Sequence, residues 1–331
     1  MLNPDLKLNP KIFDTDVEMQ PTRAGFGEAL VILGDSDPNV VVLTADLNES
    51  TRCEKFAEKY PDRFFEVGVA EQNMAAIAAG LGVSGKTAFI SSYATFSPGK
   101  NWETIRTTIV YNQANVKIAG HHSGVVTGPD GATHQATEDI AIMRVLPDIQ
   151  VVDPCDSVEA QKATIESAKI PLPVYIRFTR DKTPVMTTSD TPYSDKVLPF
   201  WIGNSPQATL FSTGYMTYYA LLAAKELEEE GIETVVAHVP VIKPLDEDGV
   251  LKVLEYSKAA VSVEDHQTAG GLGGAIAECL AKRSPLPMEF IGLKDTFAES
   301  GKPQEIRDKY GMGVKDIKEA VKKVISRKNN G

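Results

Sequence analysis

Side chains able to transfer protons, stack on rings or bind anions recur near the ends of predicted strands in the first half of the chain. They are Asp46, Ser50, Glu71, Tyr93, Phe96, His122, Asp130, His134 and Arg180. Carboxylates and imidazoles are the groups that most often transfer protons in proteins. Because the carboxyl ends of parallel strands meet at one edge of a sheet, we expect these side chains to converge there. The sequence therefore predicts one site at which a carboxylic acid, imidazoles, aromatic rings and a guanidinium group act together.

Glu71 has the most unusual surroundings of these residues. It follows the strand-like run 65–67 and a turn at Gly68, and it starts a helix whose residues 74–79 are all apolar. A helix that is apolar nearly all round is expected to be buried. Glu71 would then lie in a dry place, where its pKa rises unless a cation or hydrogen-bond donors compensate. The alternative is that Glu71 caps its own helix and faces water.

The other candidates each have an ordinary structural explanation when taken alone. Phe96 is more often part of a core, His122 is more often a buried histidine with satisfied hydrogen bonds, and Arg180 can solvate a sheet edge. Among the five histidines, only His238 is expected to be structural, since the others follow strand ends. The clustering is therefore stronger evidence for a site than any one residue.

Strand-like and helix-like segments alternate along the whole chain, which predicts two α/β domains with mainly parallel sheets. In the first unit we expect a helix from Thr22 to Gly34, helices at 51–60, 71–80, 136–146 and from 157, and strands at 40–43, 64–67, 87–91, 116–120, 149–152 and 172–178. In the second unit we expect strands at 207–212, 233–238, 259–264 and 287–292, and helices at 216–230, 245–257, 271–283 and beyond.

The chain of 331 residues is long for a single core, and composition suggests where it divides. The proline-containing stretch from 181 to 206 has little periodicity and resembles an interdomain crossing. We predict an N-terminal extension at 1–19, a first domain at 20–183, a linker at 184–206 and a smaller second domain at 207–331.

Composition and charge exclude several classes of protein. A net charge of -11 argues against a nucleic-acid or anionic membrane partner. No apolar run approaches bilayer length, and residues 1–20 lack the apolar segment of a signal peptide. The three cysteines show no paired spacing, so we expect no disulfide framework, no metal site and a reducing, cytoplasmic location.

Glycine-rich phosphate loops are poorly represented. The run from Gly25 to Gly27 and the run from Gly270 to Gly274 both miss the dinucleotide spacing. The second run opens a helix after a strand and could bind an anion there. Close packing of that helix on its strand is the favoured explanation.

Two motifs resemble a known family. Residues 68–74 (Gly-Val-Ala-Glu-Gln-Asn-Met) resemble the catalytic-glutamate segment of transketolases and their thiamine diphosphate relatives. Residues 128–135 (Gly-Pro-Asp-Gly-Ala-Thr-His-Gln) resemble the transketolase substrate loop. Segments 22–23, 44–47 and 176–180 fit further family positions in family order, and 263–273 resembles the family's C-terminal domain.

One part of the family pattern is missing. A full transketolase begins with a domain whose Gly-Asp-Gly…Asn motif holds magnesium and the cofactor's diphosphate, and no Gly-Asp-Gly occurs in this sequence. The resemblance thus implies the C-terminal subunit of a split transketolase, with a parallel-sheet pyrimidine-binding domain followed by a smaller mixed-sheet C-terminal domain. A second polypeptide would supply the diphosphate-binding domain and hold Mg²⁺, and two copies of each chain would form a heterotetramer.

The resemblance also implies an activity and roles near the cofactor. A transketolase transfers a two-carbon ketol unit from a ketose phosphate to an aldose phosphate, a reaction of the pentose phosphate pathway. Glu71 would donate a hydrogen bond to the pyrimidine ring nitrogen of thiamine diphosphate. Phe96, with Tyr93 beside it, would stack on that ring. Asp46 would lie near the cofactor without transferring a proton.

Further positions match residues that handle the sugar. His122 and His134 would shuttle protons to sugar hydroxyls, and Asp130 would hold a donor hydroxyl. The groups matching phosphate-binding positions are Arg23, Ser50 and Arg180. Trp102 is either a pocket residue or a core residue, and the family's C-terminal domain mainly stabilises the assembly.

Two alternative functions stay open at this point. A 1-deoxyxylulose-5-phosphate synthase or a keto-acid dehydrogenase beta chain shares the glutamate, but the loop from Asp130 to His134 favours transketolase. The second alternative is a scaffold subunit that keeps the fold but has lost catalytic activity. The intact Glu71, His122, Asp130 and His134 argue against a scaffold.

Overall fold

Two open β-sheets organise the chain, and the computed structural model describes residues 1–330. The first part contains strands β1 (Met19–Gln20), β2 (Val40–Thr44), β3 (Phe64–Glu66), β4 (Thr87–Tyr93), β5 (Val116–His121), β6 (Gln150–Val152), β7 (Val174–Arg177) and β8 (Thr183–Pro184). Its helices are α1 (Thr22–Ser36), α2 (Glu54–Lys59), α3 (Glu71–Val83), α4 (Trp102–Thr104), α5 (Asp139–Arg144) and α6 (Ser157–Ala168).

The second part repeats the alternation. Its strands are β9 (Leu198–Ile202), β10 (Ala208–Ser212), β11 (Thr234–His238), β12 (Val241–Lys243), β13 (Ala260–Gln267) and β14 (Met288–Leu293). Its helices are α7 (Met216–Glu229), α8 (Glu247–Leu254), α9 (Leu272–Arg283), α10 (Pro303–Lys309) and α11 (Val314–Asn329). Short helical turns occur at Pro4–Leu6, Pro61–Arg63, Thr95–Lys100, Ile105–Val110 and Val125–Asp130.

The first sheet is parallel except at one edge. Its strand order is β12-β6-β7-β5-β4-β2-β3, and only the pair β12–β6 is antiparallel. The strand β2, Val-Val-Val-Leu-Thr, is buried at every position, as expected for a strand covered by helices on both faces. This agrees with the predicted parallel-sheet first domain.

The second sheet is mixed, with the order β14-β13-β10-β11-β9. Strands β10, β11, β13 and β14 are parallel, and β9 is antiparallel to β11. The strand β9 lies inside the stretch 184–206 that composition predicted to be a linker. The proline-containing segment thus contains a strand, in which Leu198, Phe200 and Trp201 are buried.

The two domains are interlocked. The strand β12 follows β11 of the second domain but pairs with β6 of the first sheet. The N-terminal extension also reaches the second domain, where Asn3 N donates to Phe200 O at 2.9 Å and Leu6, Leu8 and Ile12 enter the core. No helix within residues 1–330 combines the length and apolar character needed to cross a membrane.

The helix α3 departs from its prediction. Its buried face carries Met74, Ala75 and Ala78, but Ile77 and Val83 are 37% and 63% exposed. The expectation that this helix is buried all round is wrong for the single chain, because the side that carries Ile77 and Val83 remains exposed. This open face of α3 is therefore left to solvent.

Candidate active site at the carboxyl edge of the first sheet

The carboxyl ends of β2, β4, β5 and β7 lie side by side, as their register requires. Tyr93 at the end of β4 pairs with His121 at the end of β5, and Gly120 pairs with Arg177. Thr44 at the end of β2 pairs with Ser91. The predicted site residues that follow these strands are thereby brought to one edge of the sheet, as expected for a parallel sheet.

Glu71 is the first residue of α3 and is 2% exposed. Its side chain does not cap the helix, so the alternative that it faces water as a cap is wrong. Lys100 Nζ donates to Glu71 Oε2 at 3.3 Å, and Asn101 Nδ2 donates to the Glu71 carbonyl at 3.0 Å. A buried carboxyl group is thus held beside a single cation that is itself 51% exposed.

The segment that supplies this cation also supplies the aromatic ring. Phe96 and Lys100 both belong to the turn Thr95–Lys100 that follows β4. The Phe96 ring lies 5.6 Å from the Tyr93 ring in a stacked arrangement. Because Lys100 contacts Glu71 and belongs to the same turn as Phe96, this turn lies next to the buried carboxyl group.

Aromatic and imidazole rings form one cluster next to this segment. Tyr93 stacks on His122 with centroids 3.7 Å apart, and His134 meets the Tyr93 and Phe96 rings edge-on at 5.9 and 5.5 Å. The Thr133 hydroxyl lies 2.8 Å from His134 Nδ1. These four rings, expected from their positions at strand ends and in the loop, are adjacent in the structure.

His122 sits in an unusual electrostatic environment. It is buried, its backbone φ is 55°, and its Nδ1 lacks a hydrogen-bond partner among residues 1–330. Burial, with the positive charges of Arg23 and Arg180 nearby, lowers the pKa of His122 to about 3. The imidazole is therefore neutral at physiological pH and presents a ring nitrogen available to a ligand.

Guanidinium groups surround the outer side of the imidazole. Arg23 Nη1 donates to the Ser50 carbonyl at 2.6 Å, while its buried Nε has no partner in the described part of the chain. Burial, together with the charges of Arg52 and Arg180, lowers the pKa of Arg23. Arg180 Nε lies 3.5 Å from Asp130 Oδ2. Holding these cations close together costs free energy unless an anion binds between them.

Asp46 and Ser50 lie on the loop after β2, which Glu66 fixes in place. The Glu66 carboxylate accepts hydrogen bonds from the Thr44 hydroxyl at 2.5 Å and from the Asp46 and Gly68 N–H groups at 2.7 and 2.9 Å. Asp46 and Gly68 both have positive φ, which explains why these turns need external support. The Asp46 side chain is exposed at the rim of the site.

Other candidates from the sequence have structural roles. Trp102 donates to the Ile142 carbonyl at 2.7 Å and packs on the core. His121 bonds to the Ser91 hydroxyl at 2.9 Å behind the site. His238 bonds to Glu159 at 2.9 Å in the core, as predicted.

The glycine run near residue 270 serves packing. The Glu264 carboxylate accepts the Leu272 and Gly273 N–H groups at 2.7 and 2.8 Å at the start of α9. A Cβ at Gly271 would lie 2.0 Å from Glu264 Oε2. The helix terminus is therefore already occupied by the protein's own carboxylate, and the anion-site explanation is not supported.

Sequence reasoning missed four polar residues that shape the site. They are Arg52, Glu66, Lys100 and Asn101. Lys100 follows Phe96 by four residues in the same turn, and this short separation could have indicated it. The role of Glu66 depends on contacts across two loops, and its position in the sequence gives no comparable signal.

Comparisons with known proteins identify the family of the chain. The family model described as "Transketolase, pyrimidine binding domain" matches residues 18–186, and the model "Transketolase, C-terminal domain" matches residues 203–317. A "Putative transketolase C-terminal section" from Methanocaldococcus jannaschii is 39% identical over 302 residues, covering 89% of this chain and 93% of its own length.

Two further similarities are extensive. A "6-deoxy-6-sulfo-D-fructose transketolase subunit SqwH" from Clostridium sp. is 33% identical, covering 96% of this chain and 98% of its own length. A solved structure described as "Split gene transketolase, inactive beta4 tetramer" is 40% identical, with a TM-score of 0.87, covering 93% of this chain and 99% of that one.

Proposed function

This chain belongs to the transketolase family, as the C-terminal subunit of a split transketolase, and on that premise we propose that it supplies half of a thiamine diphosphate-dependent active site. The proposed reaction transfers a two-carbon ketol unit from a ketose phosphate to an aldose phosphate. The observation that carries the proposal is the burial of the Glu71 carboxyl group at the start of α3, beside the half-exposed Lys100.

The residues present fit the pyrimidine end of the cofactor. A buried carboxyl group, a stacked pair of rings at Tyr93 and Phe96, and an unpartnered nitrogen on His122 lie along one sheet edge. Family membership implies dependence on thiamine diphosphate, whose C2 carbon supplies the nucleophile when the cofactor is bound. In the proposal the partner chain holds the diphosphate and Mg²⁺.

Glu71 is proposed to act on the pyrimidine ring nitrogen. In the proposal its carboxyl group forms a hydrogen bond with that nitrogen. Lys100 lies 3.3 Å from Glu71 Oε2 and is half exposed, so it is free to swing away when a ligand arrives. Phe96 would lie against the ring, Tyr93 would support Phe96, and Asp46 would border the cofactor at the rim.

The imidazoles and guanidinium groups are proposed to bind the sugar phosphate. Neutral His122 can accept or donate a hydrogen bond at a sugar hydroxyl, because its pKa of about 3 keeps it uncharged. His134 and Asp130 would contact other hydroxyls. The proposed phosphate-binding groups are Arg23, Ser50 and Arg180, since a phosphate would neutralise the clustered cations.

The uncovered apolar surface supports a partner subunit. Val69 is 71% exposed, and Ile77 and Val83 on the open face of α3 are 37% and 63% exposed. Exposed apolar side chains beside a site are typical of an interface. We propose that an N-terminal subunit carrying the diphosphate-binding domain covers it, in a heterotetramer with two copies of each chain. Without that subunit, a second copy of this chain would cover the same face.

The cellular setting is part of the proposal. All three cysteines, Cys53, Cys155 and Cys279, are buried thiols. Reduced thiols are expected in a reducing compartment, so we propose a cytoplasmic location.

The proposal is tested by mixing the chain with its candidate N-terminal subunit, thiamine diphosphate and Mg²⁺. We expect ketol transfer from a ketose phosphate to an aldose phosphate only in the complete mixture. A parallel reaction with pyruvate as donor separates this activity from that of a 1-deoxyxylulose-5-phosphate synthase. Faster turnover with pyruvate would overturn the proposed reaction, and no turnover with either donor would favour the scaffold alternative.

A further inference from the structure

The loop at 124–134, which carries Asp130 and His134, is held by the C-terminal domain. Asp265, at the end of β13, is 1% exposed and accepts hydrogen bonds from both N–H groups at the start of the loop. Val125 N donates to Asp265 Oδ1 at 2.9 Å and Val126 N donates to Oδ2 at 3.2 Å. Nearly 140 residues of sequence separate the two ends of this contact.

The surroundings of Asp265 show that this contact is built into the fold. The Tyr215 hydroxyl donates to Asp265 Oδ2 at 2.9 Å, and Arg177 Nη2 donates to the Asp265 carbonyl at 2.9 Å. A Cβ at Gly124, whose φ is 75°, would lie only 2.0 Å from Asp265 Oδ2. The carboxylate and the loop backbone are therefore packed in direct contact, with no room for a side chain at position 124.

The far end of the loop touches the C-terminal domain as well. Gln135 Nε2 donates to the Gly128 carbonyl and to the Glu299 carbonyl, both at 3.1 Å. A Cβ at Gly131 would lie 2.5 Å from the Ser300 hydroxyl. The backbone that carries Asp130 and His134 is thus fixed at both ends by residues of the second domain.

We propose that Asp265 is a positioning residue for the loop at 124–134, so that the C-terminal domain sets where the sugar-binding side chains lie. The structural half of this inference stands on the contacts above, while its effect on sugar binding rests on the proposed function. A displacement of about 1 Å at such a loop can cost about a hundredfold in rate, although the displaced contact lies away from the chemistry. The C-terminal domain then acts on substrate binding as well as on assembly.

The neighbouring residue provides a matched control. Glu264 and Asp265 are adjacent, fully buried carboxylates at the end of β13, and each accepts two backbone N–H groups. Glu264 binds the start of α9, whereas Asp265 binds the loop. The variants Asp265→Asn and Glu264→Gln replace a carboxylate oxygen by an amide of similar size, and both present an NH₂ group to a backbone donor.

Hydrogen exchange on the folded, isolated chain tests the structural half. In Asp265→Asn we expect the amides of Val125 and Val126 to exchange at least about tenfold faster, while those of Leu272 and Gly273 are unchanged. In Glu264→Gln we expect the reverse pattern. If Asp265→Asn does not fold, Tyr215→Phe removes a donor to the same carboxylate and should give a smaller acceleration at 125–126. Unchanged exchange at 125–126 in the folded variant, or equal acceleration in both control and test variants, would overturn the inference.

Kinetics of the complete enzyme test the functional half. For Asp265→Asn we expect the KM for the sugar phosphate to rise about tenfold, with thiamine diphosphate affinity within about twofold of the parent. Glu264→Gln should leave that KM unchanged. An unchanged KM in Asp265→Asn would contradict the positioning role. Failure of the parent mixture to transfer ketol units would contradict the proposed function. The hydrogen-exchange measurement would still test whether Asp265 holds the loop at 124–134.

Discussion

At the scale of single residues, the site depends on ionisable groups held out of water with few partners. Glu71 has one half-exposed cation beside it, and His122 has positively charged neighbours that favour its neutral form. Such groups lower the stability of the free chain and become useful when a ligand supplies the missing partner. The proposed function accounts for this arrangement, because the pyrimidine ring and the sugar phosphate are the missing partners.

His122 should make the free chain less stable in mild acid. Its pKa is about 3 in the folded chain and about 6.5 when unfolded, so between these values only the unfolded chain takes up the proton. The free energy of unfolding should therefore fall by about 1–2 kcal/mol from pH 7.5 to pH 5 on account of this residue. Urea unfolding of the parent and of His122→Asn measures the effect.

The prediction is tested by comparing how steeply the free energy of unfolding changes with pH in the parent and in His122→Asn. We expect His122→Asn to lose less stability than the parent over the same pH range. The substitution His134→Asn serves as control, because His134 is only partly buried and lies at the edge of the cluster. An identical pH dependence in the parent and His122→Asn would show that His122 titrates normally in the folded chain.

The sequence predicted the residue types of the site better than their partners. Glu71, His122 and His134 followed from motif and strand-end positions, because a parallel sheet brings strand ends together whatever the loops do. Lys100 was missed although it follows Phe96 by only four residues, and Glu66 was missed because hydrogen bonds across two loops have no periodicity in the sequence. The roles of Glu264 and Asp265 likewise required the fold, because they bind elements far from them along the chain.

At the scale of elements, α3 and the segments around it define the open face of the site. The helix starts with the buried Glu71, and its open face carries the exposed Ile77 and Val83 side chains. Sequence alone could not separate the two apolar faces of α3, because only the fold decides which one the chain buries itself. Sequence alone also could not predict the strand β9, because its burial depends on pairing with β11.

A charge on the open face should block assembly without unfolding the chain. Ile77 is 37% exposed, so in Ile77→Asp the carboxylate can reach water in the free chain, whereas the proposed interface would leave it unpaired and buried. We expect the affinity for the N-terminal subunit to fall at least about a hundredfold. Sedimentation of mixtures at known concentrations measures this affinity.

The control places the same charge elsewhere. Val145 lies at the end of α5 and is 69% exposed, and Val145→Asp should bind the subunit like the parent. Equal binding by Ile77→Asp and the parent would exclude the open face of α3 from the interface. Ile77→Asp should also reduce association of this chain with itself.

At the scale of the whole molecule, the two domains share their structure instead of meeting at a simple interface. The strand β12 of the second domain extends the first sheet, and Asp265 reaches the loop of the first domain. Arg177 completes the connection by donating to both Asp139 carboxylate oxygens, at 2.7 and 3.1 Å, and to the Asp265 carbonyl. We therefore expect the free chain to unfold in a single cooperative transition.

Removing Arg177 should be strongly destabilising. The substitution Arg177→Ala leaves Asp139 buried without its cation, at a cost of about 3–5 kcal/mol in the free energy of unfolding. The control is Arg283→Ala, whose ion pair with Asp248 lies at the surface and should contribute far less to stability. Chemical denaturation of both variants tests the difference, and equal losses would contradict the large contribution expected of the buried pair.

The most direct test of the central claim follows the cofactor proton. In the assembled complex with thiamine diphosphate and Mg²⁺, but without sugar, NMR measures how fast the C2 hydrogen of the cofactor exchanges with D₂O. We predict fast exchange in the parent, a decrease of at least about a hundredfold in Glu71→Gln, and no change in the control Glu103→Gln, an exposed residue on α4. Exchange in Glu71→Gln as fast as in the parent would contradict the role assigned to the buried carboxyl group.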